Sequence, residues 1–366
     1  MSRAERAAEY LAPMIAIPTH HATAGDAGGD ERALCDHLAP LLKARGADEV
    51  EVVDAPRAHG GPGAFVYARW GDPKWILNAH VDTVPANRGW TRDPWTPARV
   101  GDRLYGLGSA DTKGAIACAL AALDEITPKD CAVLFSGDEE RGTASVTAFL
   151  ASRRVQGLRT ALVCEPTART AGVRHRGVLA YGVTYRGHGG HSSRADFMPK
   201  PIVACAKIAV ALDEIAHAER HVGPTGMTGL CLNVAGIEGG VAFNVVPEQA
   251  VMTFSLRPYP GFDRLAWDAR LAPLVDDSAI TLELRTDHAP FASADPDKLA
   301  RWLDGPAPVA VDFWTEAALW SAAGVDAIVC GPGDIGAAHA ADEQVAIADL
   351  GWATDLYARC FAKGAP

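Results

Sequence analysis

The chain has 366 residues, 48% of them hydrophobic and 22% charged, with a formal net charge of −11. That length and apolar share suffice for a large core in one domain or two and exclude global disorder. The acidic balance, with no basic run, speaks against a nucleic-acid surface, and no window reaches the roughly 18 uninterrupted apolar residues of a membrane span.

Met1–Arg6 carries acids and has no apolar core of signal-peptide length. The eight cysteines form no C-x-x-C pair and several lie in apolar runs, so they read as reduced thiols of a cytoplasmic protein. Residues 3–16 are helical in pattern and end before Pro18. A Gly/Ala-rich loop with His20-His21 follows, then an amphipathic helix over 31–45 closed by Gly46. Residues 49–54 and 65–70 read as strands, and Trp75-Ile76-Leu77 as a buried one. That strand runs out into His80-Val81-Asp82. Gly106-Leu107-Gly108-Ser109-Ala110-Asp111 bends sharply before a helix that starts at Lys113. The strand 131–136 leads into Gly137-Asp138-Glu139-Glu140, and the strand 160–164 into Glu165-Pro166-Thr167. Strand and helix alternate, which predicts a helix-flanked, mostly parallel α/β sheet.

From about Arg174 the texture changes to strand, helix, two strands, helix, strand: 178–185, 200–217, 230–237, 249–257, 263–275 and 280–285. That is the order of a ferredoxin-like α+β unit. The division expected is therefore 1–173 and 289–366 for one domain, with 174–288 inserted into it. After Pro290 the α/β texture returns, with a helix over 315–323, a strand at 327–330, a loop holding His339 and Glu343, and a closing helix over 342–361.

In an open α/β sheet, ligands bind where the strands run out. His80, Asp111, Glu139, Glu140, Glu165 and His339 gather there. Imidazoles with carboxylates suit zinc, cobalt or manganese. Two metals roughly 3.5–4 Å apart need a bridging carboxylate, and Asp111 is best placed to supply it. Asp82, two residues beyond His80 on an extended chain, can accept the other ring N–H and fix the tautomer of a ligand. Of the adjacent pair Glu139-Glu140, one can ligate while the other takes a proton from water. Each residue alone has a plainer reading. Glu139-Glu140 could be a solvated turn, Glu165 could cap a turn, and Arg257 could serve a structural ion pair. Gly106–Gly114 could be mistaken for a phosphate loop, but it lacks the G-K-[ST] ending. The histidines at 20, 21, 59, 175, 217, 221 and 288 read as structural.

H-V-D (80–82), G-x-G-x-x-D-x-K-G (106–114), D-E-E (138–140), E-P-T (165–167), H-S-S (191–193), N-V-V-P (244–247), Arg257 and G-P-G…A-H-x-x-D-E (331–343) resemble, in that order, a metallopeptidase family. It is the family of acetylornithine deacetylase, succinyl-diaminopimelate desuccinylase, aminoacylases and glutamate carboxypeptidase. The resemblance implies two divalent metal ions, Zn2+ or Co2+. His80, Asp111 and Glu165 would hold one, and Asp111, Glu140 and His339 the other. It implies Glu139 as general base and Asp82 as the residue orienting His80. His191, with His188 as its rival, would stabilise the oxyanion, and Arg257 and Asn244 would hold the substrate's α-carboxylate. In this family that histidine reaches the partner subunit's site, so a homodimer through an inserted lid and dimerisation domain is implied. T-E-A at 315–317 resembles the acetylornithine deacetylase branch. The activity implied is removal of acetate from a small N-acetylated amino acid, N-acetyl-L-citrulline first. N-acetyl-L-ornithine, or a broader range of N-acylamino acids and dipeptides, is the alternative. A non-catalytic amino-acid-binding scaffold is the contrasting class, and the full set of ligands, base and oxyanion histidine speaks against it. Where the family often has Pro-Asp-x-Gly-x-Asn-Ala, this chain has Ala195-Asp196-Phe197-Met198-Pro199-Lys200-Pro201. Lys200 is either a charge beside the substrate, disfavouring a cationic side chain, or the solvated start of the next helix.

Overall fold

The strand Trp75–His80 is buried at every residue and lies in the middle of the main sheet. In this computed structural model, which describes residues 1–366, its neighbours Cys131–Ser136 and Thr160–Pro166 both pair with it in parallel. Asp326–Gly331 extends the parallel set beyond Thr160–Pro166. On the other side, Ala64–Trp70 and Glu49–Asp54 continue the sheet antiparallel. The four parallel strands are apolar runs because both of their faces are covered. One face carries the helices Arg3–Ile15, Glu31–Ala44, Lys113–Leu123 and Ile347–Lys363, whose apolar residues share one core with Leu77, Val133, Phe135 and Leu162. On the other, Phe149 of the helix Ala144–Leu150 packs on Phe65, Tyr67 and Trp320.

Lys113–Leu123 is buried at all eleven positions. A helix that is apolar all round belongs inside a protein. Its one cation, Lys113, is satisfied by the carbonyl oxygens of Met14 (3.1 Å) and Ile17 (2.9 Å). Burial lowers this ammonium to about 7.

These elements form one compact unit, Met1–Val173 with Ala292–Val311 and Thr315–Pro366; Arg174–Phe291 and Asp312–Trp314 form a second. In the second unit the sheet order is Asn233–Gly239, Gln249–Leu256, Val178–Arg186, Ile280–His288, antiparallel throughout. With the helices Pro201–Ala218 and Arg264–Leu271 this is a ferredoxin-like βαββαβ layer pair. Gln249–Leu256 alternates buried and half-buried residues, as a strand with one covered face must. Tyr181 stacks on Phe254 at 4.8 Å, and the Trp267 indole donates to the Tyr181 hydroxyl. A short ribbon pairs His191 with Val245 and Gly190 with Val246.

The closing helix begins at Ile347, not near 342. Gln344–Ala346 pairs instead with Arg103–Tyr105, which forms a hairpin with Ala98–Val100. That backbone pairing is available only once the distant hairpin arrives, so it overrides the local helical pattern.

Candidate metal centre

The C-terminal ends of the parallel strands deliver His80, the turn after Ser136, and Glu165 to one edge of the first unit's sheet. Asp111 joins them from the glycine-bent loop. Its Oδ1 lies 2.9 Å from His80 Nε2, and its Oδ2 lies 3.4 Å from His339 Nε2. His339 Nε2 in turn sits 2.8 Å from Glu140 Oε2. One carboxylate thus faces two imidazoles, one oxygen to each. The ligand atoms of His80, Asp111 and Glu140 fall within 4.8 Å of one another.

Backbone contacts hold these side chains. Thr112 clamps His80: its hydroxyl accepts the His80 N–H and donates to the His80 carbonyl, both at 2.9 Å. His80 Nδ1 lies 2.9 Å from the main-chain oxygen of Asp82 and 3.5 Å from its carboxylate. The nearer acceptor for the ring N–H is therefore the peptide oxygen. The Asp82 carboxylate, fully buried, accepts the N–H groups of Glu139 (3.1 Å) and Glu140 (3.0 Å) and meets His21 Nε2 at 2.9 Å. Asp138 sits in the left-handed region at φ 61°, which aspartate tolerates. Its Oδ2 accepts the N–H groups of Ala58 and Ala144. The carboxylate of Glu343 accepts those of Gly108, Ala110 and Asp111. The His339 loop is tied down by Asn87, which donates to the His339 carbonyl, and by Thr91, which donates to Asp342.

Beneath the site, Glu316 bonds to Ser136 Oγ at 2.7 Å, and Ser136 bonds to Asn78, whose side-chain oxygen accepts the Trp320 indole N–H. The other Glu316 oxygen has no partner.

The electrostatics call for added positive charge. Burial, with neighbouring carboxylates, pushes Glu139 and Glu165 well above the usual carboxylate range against the pull of His80. Burial and then Asp111 raise Glu140. Asp111 is the opposite case: burial would raise it, but the bonds to His339 and His80 hold it well below. Bonds to Asp111 and Glu140 push His339 up to about 10. Buried carboxylates facing imidazole nitrogens are hard and borderline donors whose mutual repulsion a divalent cation relieves, so the donor set fits such ions. A second group, His21, Glu31 and Asp82, also brings three ligand atoms together. There, however, Arg57 pairs with Glu31, and peptide N–H groups engage the oxygens of Glu31 and Asp82. That group reads as a scaffold behind the site.

His191, Asn244 and Arg257 belong to the second unit and are exposed. His191 Nδ1 lies 2.8 Å from Ser193 Oγ, and the Asn244 carbonyl accepts the Ser192 N–H. Arg257 follows the far end of Gln249–Leu256, an eight-residue strand spanning roughly 26 Å. Asn244 therefore accompanies His191 within a chain, and Arg257 does not. Lys200 is exposed and pairs with Asp196 at 3.2 Å just before the helix at 201, as the solvated start of that helix.

An open α/β sheet with an imidazole–carboxylate cluster at its strand ends is the frame of a metal-dependent hydrolase. Residues 76–363 match the model of peptidase family M20/M25/M40. The chain is 36% identical over 358 residues to N-acetyl-L-citrulline deacetylase of Xanthomonas campestris pv. campestris, covering 93% of each. It is 32% identical to acetylornithine deacetylase of Myxococcus xanthus, covering 86% of this chain and 84% of the relative. A dinuclear metal-binding M20-family peptidase from Bacillus subtilis shares the fold at TM-score 0.67 and 15% identity, over 99% of this chain and 98% of that one. The chain belongs to the M20/M25/M40 peptidase family and is a metallo-amidohydrolase. No helix is long and apolar enough to cross a membrane.

Proposed function

We propose that this chain removes the acetyl group from N-acetyl-L-citrulline, using two divalent cations, Zn2+ or Co2+. The observation that carries the reading is Asp111, with one oxygen toward His80 Nε2 and the other toward His339 Nε2. His80, Asp111 and Glu165 would hold one ion, and Asp111, Glu140 and His339 the other. When bound, such ions polarise the amide carbonyl and make water easier to deprotonate.

The rest falls to the chain's own residues. Asp82 fixes the peptide of Glu139, so the Glu139 carboxylate is held where it can take a proton from the attacking water and pass it to the leaving amide nitrogen. His191 would donate to the oxyanion of the tetrahedral intermediate. Arg257 and Asn244 would hold the α-carboxylate. Because a strand of roughly 26 Å separates them in one chain, a shared carboxylate needs them from two copies. A homodimer through the second unit fits this. Its ribbon loop exposes Val241 (90%) and Phe243 (100%), its long helix exposes Val203 and Val210, and Asn233–Gly239 is an unpaired sheet edge. A cytoplasmic enzyme fits the eight unpaired cysteines.

The choice of N-acetyl-L-citrulline leans on the Xanthomonas relative; the Myxococcus relative favours N-acetyl-L-ornithine as the second reading. The test is acetate release by metal-stripped protein, with and without added zinc or cobalt, on the two substrates side by side. Metal-restored turnover favouring acetylcitrulline is expected. A reversed preference moves the chain to the acetylornithine reading, and no turnover on either refutes the deacetylase assignment.

A further inference from the structure

Beside Glu140 the first unit opens into a cavity of about 370 Å³, walled by Val84, Pro85, Thr23, His21, Glu140 and Arg141. Most of this wall is apolar or already committed. His21 Nε2 is bonded to Asp82, and Glu140 Oε2 faces His339. The remaining charge is the guanidinium of Arg141, which is exposed and pairs with no carboxylate.

The backbone that carries Arg141 is locked. The preceding peptide N–H, that of Glu140, is held by Asp82, and the following one, that of Gly142, is held by the Asp138 carbonyl at 3.0 Å. Gly142 lies so close to Asp138 that a Cβ there would meet Oδ2 at 2.3 Å, so the turn closes only around glycine. Arg141 therefore projects from a rigid turn, next to a residue assigned to the metal centre, over a space whose other charged group, Glu140, faces His339.

We infer that this cavity is the side-chain subsite of the hydrolase and that Arg141 determines its specificity. It selects N-acylated amino acids whose side chain ends in an oxygen acceptor, such as a ureido or carboxamide carbonyl or a carboxylate, over those ending in an ammonium group. The inference rests on the deacetylase reading above and names the residue behind the substrate preference. The guanidinium fork donates to a terminal carbonyl or carboxylate oxygen. It repels a terminal ammonium, a repulsion that grows as the subsite excludes water.

The test compares wild type, Arg141→Ala and Arg141→Glu, all metal-loaded. Substrates are N-acetylcitrulline, N-acetylglutamine, N-acetylornithine and N-acetylalanine. A second readout is the dissociation constants of free citrulline and ornithine by calorimetry. Arg141→Glu is expected to shift the citrulline-to-ornithine ratio of kcat/KM toward ornithine on the order of tenfold or more, as one charge pair at a partly solvated site does, with Arg141→Ala in between. The two dissociation constants move the same way. An unchanged ratio overturns the inference. So does an equal loss on all four substrates, since the short alanine side chain does not reach the guanidinium. If the wild type hydrolyses none of them, the deacetylase reading fails, and the ratio of dissociation constants still decides the subsite.

Discussion

The carboxylate of Glu343 accepts the peptide N–H of Asp111 at 3.1 Å, although 232 residues separate them. It also accepts those of Gly108 and Ala110, so one buried side chain shapes the loop that presents Asp111. Glu343→Gln places an amide N–H2 against these donors and leaves peptide groups unsatisfied. The variant is expected to lose about 1–3 kcal/mol of stability. Divalent cations should bind it about 10–100-fold more weakly, as when a group supporting a ligand is removed. Denaturant unfolding and metal titration check the two effects separately.

Asp82 does the same for the turn at 139–140. Asp82→Asn retains the shape but has one acceptor oxygen in place of two. The expected result is a fall of roughly 10–100-fold in kcat/KM, with weaker metal binding. His21→Ala removes one partner of the same carboxylate and is expected to give a smaller loss. If Asp82→Asn matches wild type in both kinetics and metal affinity, the turn is held by something else.

Glu139→Gln keeps size and the backbone bond to Asp82 but cannot take a proton. Metal content and thermal stability should stay near wild type, while kcat drops by roughly 10²–10⁴-fold. Turnover near the wild-type rate would remove Glu139 from the role of base.

Burial first, then Asp111, pushes Glu343 up to about 8, and burial pushes Glu316 up to about 7, both from the usual 4.5. A carboxyl raised in the folded state stabilises the fold fully below its unfolded value and loses that contribution as pH rises through the folded one. The metal-free protein should therefore lose stability between pH 4.5 and 8. Added zinc should restore most of it at the upper end, where ions replace protons as the source of positive charge. Glu316→Gln removes one of the two groups and should flatten the lower part of this dependence, up to about pH 7. Thermal unfolding across that range, with and without zinc, measures both.

The meeting of His80 and Glu140 was legible because parallel strands run out at one edge, so polar residues just past apolar runs converge; Asp111 and His339 come from loops and stood out through the motifs G-x-G-x-x-D-x-K-G and A-H-x-x-D-E. The ferredoxin-like order of the second unit was legible for a similar reason: periodicity distinguishes strand from helix over eight or more residues. The supports were not legible. Glu343 and His21 read as loop residues because their partners lie 61 or more residues away. Glu343 closed the A-H-x-x-D-E motif without a stated role, and His21 read as structural in a Gly/Ala-rich loop. Gln344–Ala346 is too short to show a period, and the helical pattern beyond it hid the strand. Arg257 and Asn244 both looked like carboxylate ligands, but residue type does not report the length of strand between them.

Asp82 and Glu343 grip their loops by peptide N–H groups, which every residue except proline provides. The exposed Arg141, whose neighbour's peptide is gripped by Asp82, can therefore change side chain without loosening the frame. A library at Arg141 that omits proline should yield mostly folded proteins with altered substrate range. This chassis separates the evolvability of recognition from the durability of the fold.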